Sequence, residues 1–238
     1  GQWGGSISRA KEMIDQSNIG GASAVKVQLW DTYKMPGENR EKWEYLAMSK
    51  DQFFELKNYA NKVGIDFFAS PFDLERFNWV LEADLKINKI ASSLLEWNFD
   101  LCKNMVSSGL RTFCSLGKWN KDKLPFNDDN VEYFHTCLQV LNKAFEEGDE
   151  MLGSADVHCL AEYPHSEERA ILKMPTNLTG YSDHSIGIAA CIEAASRGAT
   201  LIEKHFTLDK NLQCETESAH SCSMDLDELK KLTKFCKA

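Results

Sequence analysis

Two hydrophobic periods take turns along this chain. Apolar residues first recur as on one helix face, then gather in short runs rich in β-branched and aromatic side chains. Ser6 opens a helix over 7–17 that Gly20-Gly21 ends, and the strand Ala24-Val-Lys-Val-Gln-Leu29 follows. Ser49-Lys-Asp-Gln52 is a capping box for a helix to about residue 63, after which Gly64 hands over to a strand at 65–69. The same alternation predicts helices over about 74–83, 98–107, 130–147, 167–173, 186–197 and 226–236. Strands are predicted at 86–91, 111–116, 155–160, around Tyr181 and at 200–205. Alternation of this kind implies parallel strands with crossover helices. Seven strands, with a helix before the first and after the last, predict an α/β fold of the (β/α)8 TIM barrel type. Its first strand is missing and is expected upstream of Gly1. An open doubly wound sheet competes, but it usually carries a glycine-rich dinucleotide turn, and none follows the first strand here.

Composition narrows the class. The 238 residues, 43% apolar and 26% charged, suit a single domain over 1–238 with a sizeable core. No stretch approaches the roughly 20 apolar residues of a membrane span, and the first residues are not a secretory signal. Eight cysteines with no CxxC pair read as reduced thiols of a cytoplasmic protein, not as a disulfide framework or zinc site. A net charge of −9 argues against a nucleic-acid surface. It leaves room for a small anion held by a few buried cations.

In a barrel, chemistry sits at the C-terminal ends of the strands. Those ends carry, in order, Lys26 and Gln28; Ser70 and Asp73; Lys89 with Ser92 and Ser93; Ser115; Glu162 and Tyr163; Ser182, Asp183 and His184; and Glu203 with His205. Lysines and hydroxyls suit a phosphate, and two converging imidazoles suit a divalent metal. Plainer readings stand beside these. Lys26 and Lys89 serve equally as partners of Glu203 in a structural ion pair, and strand-end serines are common turn residues. His158 reads as core, His135 and His165 as exposed helix and loop residues. The polar-aromatic run from Trp30 to Arg40, with Trp43 and Tyr45 behind it, is either a substrate cover or packing over the barrel.

Seven ordered segments then resemble one family. They are Ala24-Val-Lys-Val-Gln28, Phe67-Phe-Ala-Ser-Pro-Phe-Asp73, Lys89-Ile-Ala-Ser92, Ser115-Leu-Gly117, His158-Cys-Leu-Ala-Glu-Tyr-Pro164, Gly180-Tyr-Ser-Asp-His184 and Glu203-Lys-His-Phe-Thr-Leu-Asp209. Over nearly its whole length the chain resembles the sialic acid synthase family, whose catalytic domain is a (β/α)8 barrel. The resemblance implies a transferase that condenses phosphoenolpyruvate with an N-acylated amino sugar, giving a sialic-acid-like nonulosonate and phosphate. It implies manganese or magnesium on His184 and His205. Lys26, Ser70, Lys89, Ser92, Ser115 and Ser182 fall on positions that grip phosphoenolpyruvate. Gln28, Tyr163 and Glu217 fall near the sugar. Lys89 and Glu203 are the candidate catalytic residues. Partners are these small molecules, with no nucleic acid and no membrane, and a homodimer is the assembly the family suggests.

Departures accompany the resemblance. Leu94 stands where the family has an acid, Ala161 where it often has asparagine, and Gln2-Trp-Gly-Gly5 where it has Asn-His-Asn-Gly. The first strand with its glutamate and the C-terminal antifreeze-like domain are expected to be absent. The alternative is therefore a truncated, catalytically impaired ligand-binding homologue. A mere scaffold is the third reading, against which both histidines and both strand lysines speak.

Overall fold

The computed structural model describes residues 1–37, 40–117, 119, 123–136, 171, 174, 179–217 and 219–238. Its strands are β1 (Ala24–Leu29), β2 (Asp66–Pro71), β3 (Ile87–Ile90), β4 (Arg111–Ser115), β5 (Val131–Thr136), β6 (Gly180–Asp183) and β7 (Leu201–Lys204). They pair in parallel and in chain order as one seven-stranded sheet. Lys26 on β1 bonds Glu203 on β7, so the sheet curls until its two outer strands face each other. This is the expected parallel α/β barrel wall.

Around it lie α1 (Ile7–Ile19), α2 (Lys50–Val63), α3 (Leu74–Glu82), α4 (Ser92–Trp97), α5 (Phe99–Ser107), α6 (Ala189–Ser196) and α7 (Leu226–Cys236). Strand residues alternate between two environments. Outward side chains such as Phe67, Ala69, Ile90 and Cys114 join Ile14, Phe53, Leu56 and Val80 of the helices in the main core. Inward, Phe68, Phe113 and Phe134 pack edge to face, with centroids 5.6 and 5.3 Å apart, and Ala24, Ile87 and Leu201 close around them. This aromatic floor plugs the barrel. The next inward position on each strand is two residues further along, and there the polar residues begin.

The caps follow the sequence reading. Ser49 and Gln52 form both bonds of a capping box at the start of α2, and Gly64 ends that helix with φ of 86°. Replacing Ser49 with alanine is expected to cost about 1 kcal/mol in urea denaturation, because an orphan helix N–H loses its acceptor.

One element differs. The stretch predicted to begin a helix at about 130 is strand β5, and His135 therefore lies on a strand, in register with Tyr181. Val131, Tyr133 and Thr136 favour extended backbone, and the strand places Phe134 in the floor while Tyr133 donates to the Phe126 carbonyl at 2.7 Å. The predicted strand at 155–160, the rest of the predicted helix over 130–147, and His158, Glu162, Tyr163 and His165 lie outside the described residues. A short helix unforeseen in the sequence, α4, follows β3 directly and buries Leu94 fully, while Glu96 is exposed.

Candidate active site

Register brings the histidines together. β6 and β7 pair with Ser182 opposite Glu203 and Asp183 opposite Lys204, so one step further His184 stands opposite His205. Their ring centroids are 5.2 Å apart with planes 37° from parallel. Burial lowers the basicity of both rings. His184 is pushed down to about 4 against the pull of Glu203 and Asp183. His205 is held well below its ordinary value by burial, by His184 and by Lys26. Both are neutral imidazoles near pH 7, the form that offers a lone pair to a metal.

The spacing also suits a shared ion. Ring centres 5.2 Å apart are close enough for one nitrogen of each imidazole to reach a common ion. Among the described residues no group of three or more His, Cys, Asp or Glu is placed to hold a metal. The pair fits as two of an ion's ligands.

Beside the rings lies a buried ionic cluster. Glu203 accepts from Lys26 through Oε1, from Lys89 through Oε2 at 2.7 Å, and from Ser182 Oγ through Oε2 at 2.7 Å. Burial opposes ionisation of Glu203, but the two ammonium groups outweigh it and hold the carboxyl well below its usual range. Lys89 projects over the Phe134 ring, 5.5 Å from its centroid. Burial pushes its pKa down to about 8 in spite of Glu203. Two ammonium groups thus share one carboxylate, leaving a surplus positive charge in a partly buried space. Such a cluster attracts an anion strongly.

The hydroxyls divide. Ser115 is buried, and its Oγ has no hydrogen-bond partner among the described residues. Ser70 donates to the Lys89 carbonyl at 3.0 Å, so its hydrogen is spent on holding β2 to β3. Ser92 opens α4, partly exposed. Glu217 lies in the segment after β7, bonded to Tyr45 Oη at 3.2 Å, His220 Nε2 at 2.9 Å and Arg9 Nη1 at 3.5 Å. With Tyr45–Thr216 and Lys42–Glu215 contacts of 2.7 and 2.8 Å, it clasps the aromatic loop to that segment.

The loop after β1 roofs a cavity of about 280 Å³ lined by Gln28, Trp30, Thr32, Arg40, Trp43 and Ser93, among others. Gln28 shares the inward face of β1 with Lys26, so this cavity continues the site. The loop does both things the sequence offered: Trp30 and Met35 pack against the main core and also line the cavity. Arg40 and His220 escaped sequence reasoning, as did the fully buried Lys204–Asp183 pair on the helix side of the wall. One signal for the last was present: Lys204 alternates with Glu203, so it faces the other way.

Fold and site together define a β/α-barrel protein with two lysines, a glutamate and a pair of neutral imidazoles gathered at the C-terminal ends of its strands. The chain belongs to the NeuB family, whose pattern matches residues 13–238. It is 30% identical over 244 residues to the uncharacterized protein MJ1065 of Methanocaldococcus jannaschii, covering 96% of this chain and 65% of that one. It is 28% identical to the N,N'-diacetyllegionaminic acid synthase of Legionella pneumophila, covering 97% and 67%. It is also 28% identical to the N-acetylneuraminate-9-phosphate synthase of Drosophila melanogaster, covering 96% and 63%. The chain thus spans about two thirds of the length of these curated relatives. The N-acetylneuraminic acid synthetase of Leptospira borgpetersenii, solved with citrate, superposes with a TM-score of 0.77 at 28% identity, covering 99% of this chain and 79% of that one. Among the described residues no helix is long and apolar enough to cross a membrane.

Proposed function

We propose that this chain is the barrel of a phosphoenolpyruvate-dependent synthase. It would condense phosphoenolpyruvate with an N-acylated amino sugar to give a nonulosonate and phosphate. The observation that carries this is the Lys26–Glu203–Lys89 cluster lying next to His184 and His205. The family's synthases support it.

Lys26 and Lys89 hold the phosphate, and the Ser115 hydroxyl donates to it. Ser182 hands its hydrogen bond from Glu203 to the ligand, while Ser92 lies alongside. Gln28 and Glu217 face the sugar, and the family resemblance adds Tyr163 to them. The enol carbon attacks the open-chain aldehyde, water adds at the carbon bearing phosphate, and phosphate leaves by carbon–oxygen cleavage. Glu203 is the acid placed to take a proton from that water. A manganese or magnesium ion on His184 and His205, when bound, would supply Lewis acidity toward the aldehyde oxygen. Buried Leu94, where the family has an acid, favours a second reading: a homologue that binds phosphoenolpyruvate without turning it over.

Calorimetry and phosphate release test both. Phosphoenolpyruvate is expected to bind, more tightly with manganese, and N-acetylmannosamine or its 6-phosphate is expected to trigger phosphate release. Affinity should fall as pH rises through about 8, where Lys89 loses the proton that makes it a cation. Binding without release would establish the second reading, and failure to bind would refute both.

A further inference from the structure

The cavity beneath the aromatic loop bears on which sugar is taken, and the inference rests on the synthase reading above. Three cations lie in the loop between β1 and α2. Lys34 pairs with Asp31 and Glu75 at 3.4 and 3.2 Å, and Lys42 pairs with Glu215 at 2.8 Å. Arg40 makes no ion pair among the described residues. Its guanidinium carbon lies 5.6 Å from the centre of the Trp43 ring, and its buried Nε has no hydrogen-bond partner there.

The backbone makes room for it. Gly37 adopts φ of +116°, and a Cβ at that position would come within 1.9 Å of Arg40 Nη2. The positive φ calls for a glycine at the turn, and its lack of a Cβ lets the Arg40 guanidinium lie across it. Buried Thr32 adds a hydroxyl oxygen that also lacks a partner among the described residues. Among the described residues, Arg40 is the charged residue of the lining, which holds no carboxylate.

A neutral sugar seated here would strip water from an uncompensated guanidinium, which is unfavourable. An anionic substituent would instead complete it with charge-assisted, bidentate hydrogen bonds. Position along the site says which end of the sugar arrives. The reacting carbonyl belongs with Lys26 and the two histidines. Gln28 lies two residues further along β1 on the same face, and the Arg40 loop lies beyond it. The end remote from the carbonyl is the one that reaches Arg40. We propose that Arg40 selects an N-acylated hexosamine carrying a phosphate monoester at carbon 6. Adding the three carbons of phosphoenolpyruvate renumbers that carbon as 9, so the product would be a nonulosonate 9-phosphate.

Trp30 and Trp43 line the cavity, so intrinsic fluorescence reports on it directly. Titrations of the chain with N-acetylmannosamine 6-phosphate, N-acetylmannosamine and inorganic phosphate separate the contributions. The phosphorylated sugar is expected to bind at least about tenfold more tightly than the neutral one, the scale of one charged hydrogen-bonded contact. R40Q should bring the two sugars to equal affinity, and R40K should restore part of the difference; thermal melts of both variants report whether the fold is kept. Equal affinities for wild-type protein, a preference that survives R40Q in a folded variant, or inorganic phosphate binding as well as the phosphorylated sugar would overturn the assignment. Phosphoenolpyruvate titrated in parallel tells the failures apart. If it binds while the sugars are not discriminated, Arg40 selectivity alone is wrong. If neither it nor any sugar binds, the synthase reading fails and this inference with it.

Discussion

Exchanging Lys89 for methionine is expected to weaken phosphoenolpyruvate binding by about 100-fold, roughly 2.7 kcal/mol. The substitution keeps an unbranched apolar stem against Phe134 but removes the ammonium 2.7 Å from Glu203 Oε2. Glu203 then neutralises Lys26 alone, and the surplus positive charge of the cluster is gone. A phosphate loses one charged hydrogen bond, worth about 1.5–3 kcal/mol, together with the field that drew it in. Calorimetry on wild-type and K89M protein measures this, with melting curves showing that the variant is folded. A loss below tenfold would mean that the phosphate lodges away from this cluster.

Replacing Lys204 with methionine is expected to destabilise the fold by about 3–5 kcal/mol, the usual result of stranding one partner of a buried ion pair. Both side chains are fully buried, and Lys204 also donates to the Ser185 carbonyl at 2.7 Å. Without it, Asp183 keeps bonds from Tyr181 Oη at 3.2 Å and from Ser185 N and Oγ at 3.2 and 3.0 Å, but no counter-charge. The pair ties the ends of β6 and β7 on the helix side, immediately behind His184 and His205. In the double variant D183N K204M the stranded charge is gone, and most of the lost stability should return. Urea denaturation of the three proteins checks this. A cost under about 1 kcal/mol for K204M, the range of an exposed pair, would show that water reaches the carboxylate.

Six of the seven described strands were legible because each is a short β-rich run between helix caps, and the capping box read at Ser49 is satisfied in the structure. β5 was not. Val131, Phe134 and Leu138 are spaced as on a helix face, and a window of six residues fits either period. What decides it is the slot between β4 and β6 and the space in the barrel floor that Phe134 fills.

The site divides in the same way. Lys26, Lys89, Glu203, His184 and His205 were visible because polar residues at the ends of apolar strands stand out from their surroundings. That Glu203 bridges both lysines, as the plainer reading allowed, could not be read from spacing, since β1, β3 and β7 are far apart in the chain. Arg40 was invisible for a related reason: a charged residue in a polar loop is unremarkable until the fold sets its guanidinium against Trp43 in the wall of a cavity.

By itself, then, the order of residues determined the alternation of helix and strand, the parallel sheet and the identity of the ionisable groups at the strand ends, because periodicity, caps and burial preference are local properties. The tertiary structure alone decided which charges neutralise each other, that two imidazoles 5.2 Å apart share one crevice, and that the Arg40 guanidinium meets no carboxylate among the described residues. Those outcomes depend on strand register and on the closing of a curled sheet, which bring together residues whose separation along the chain carries no information about their distance in space.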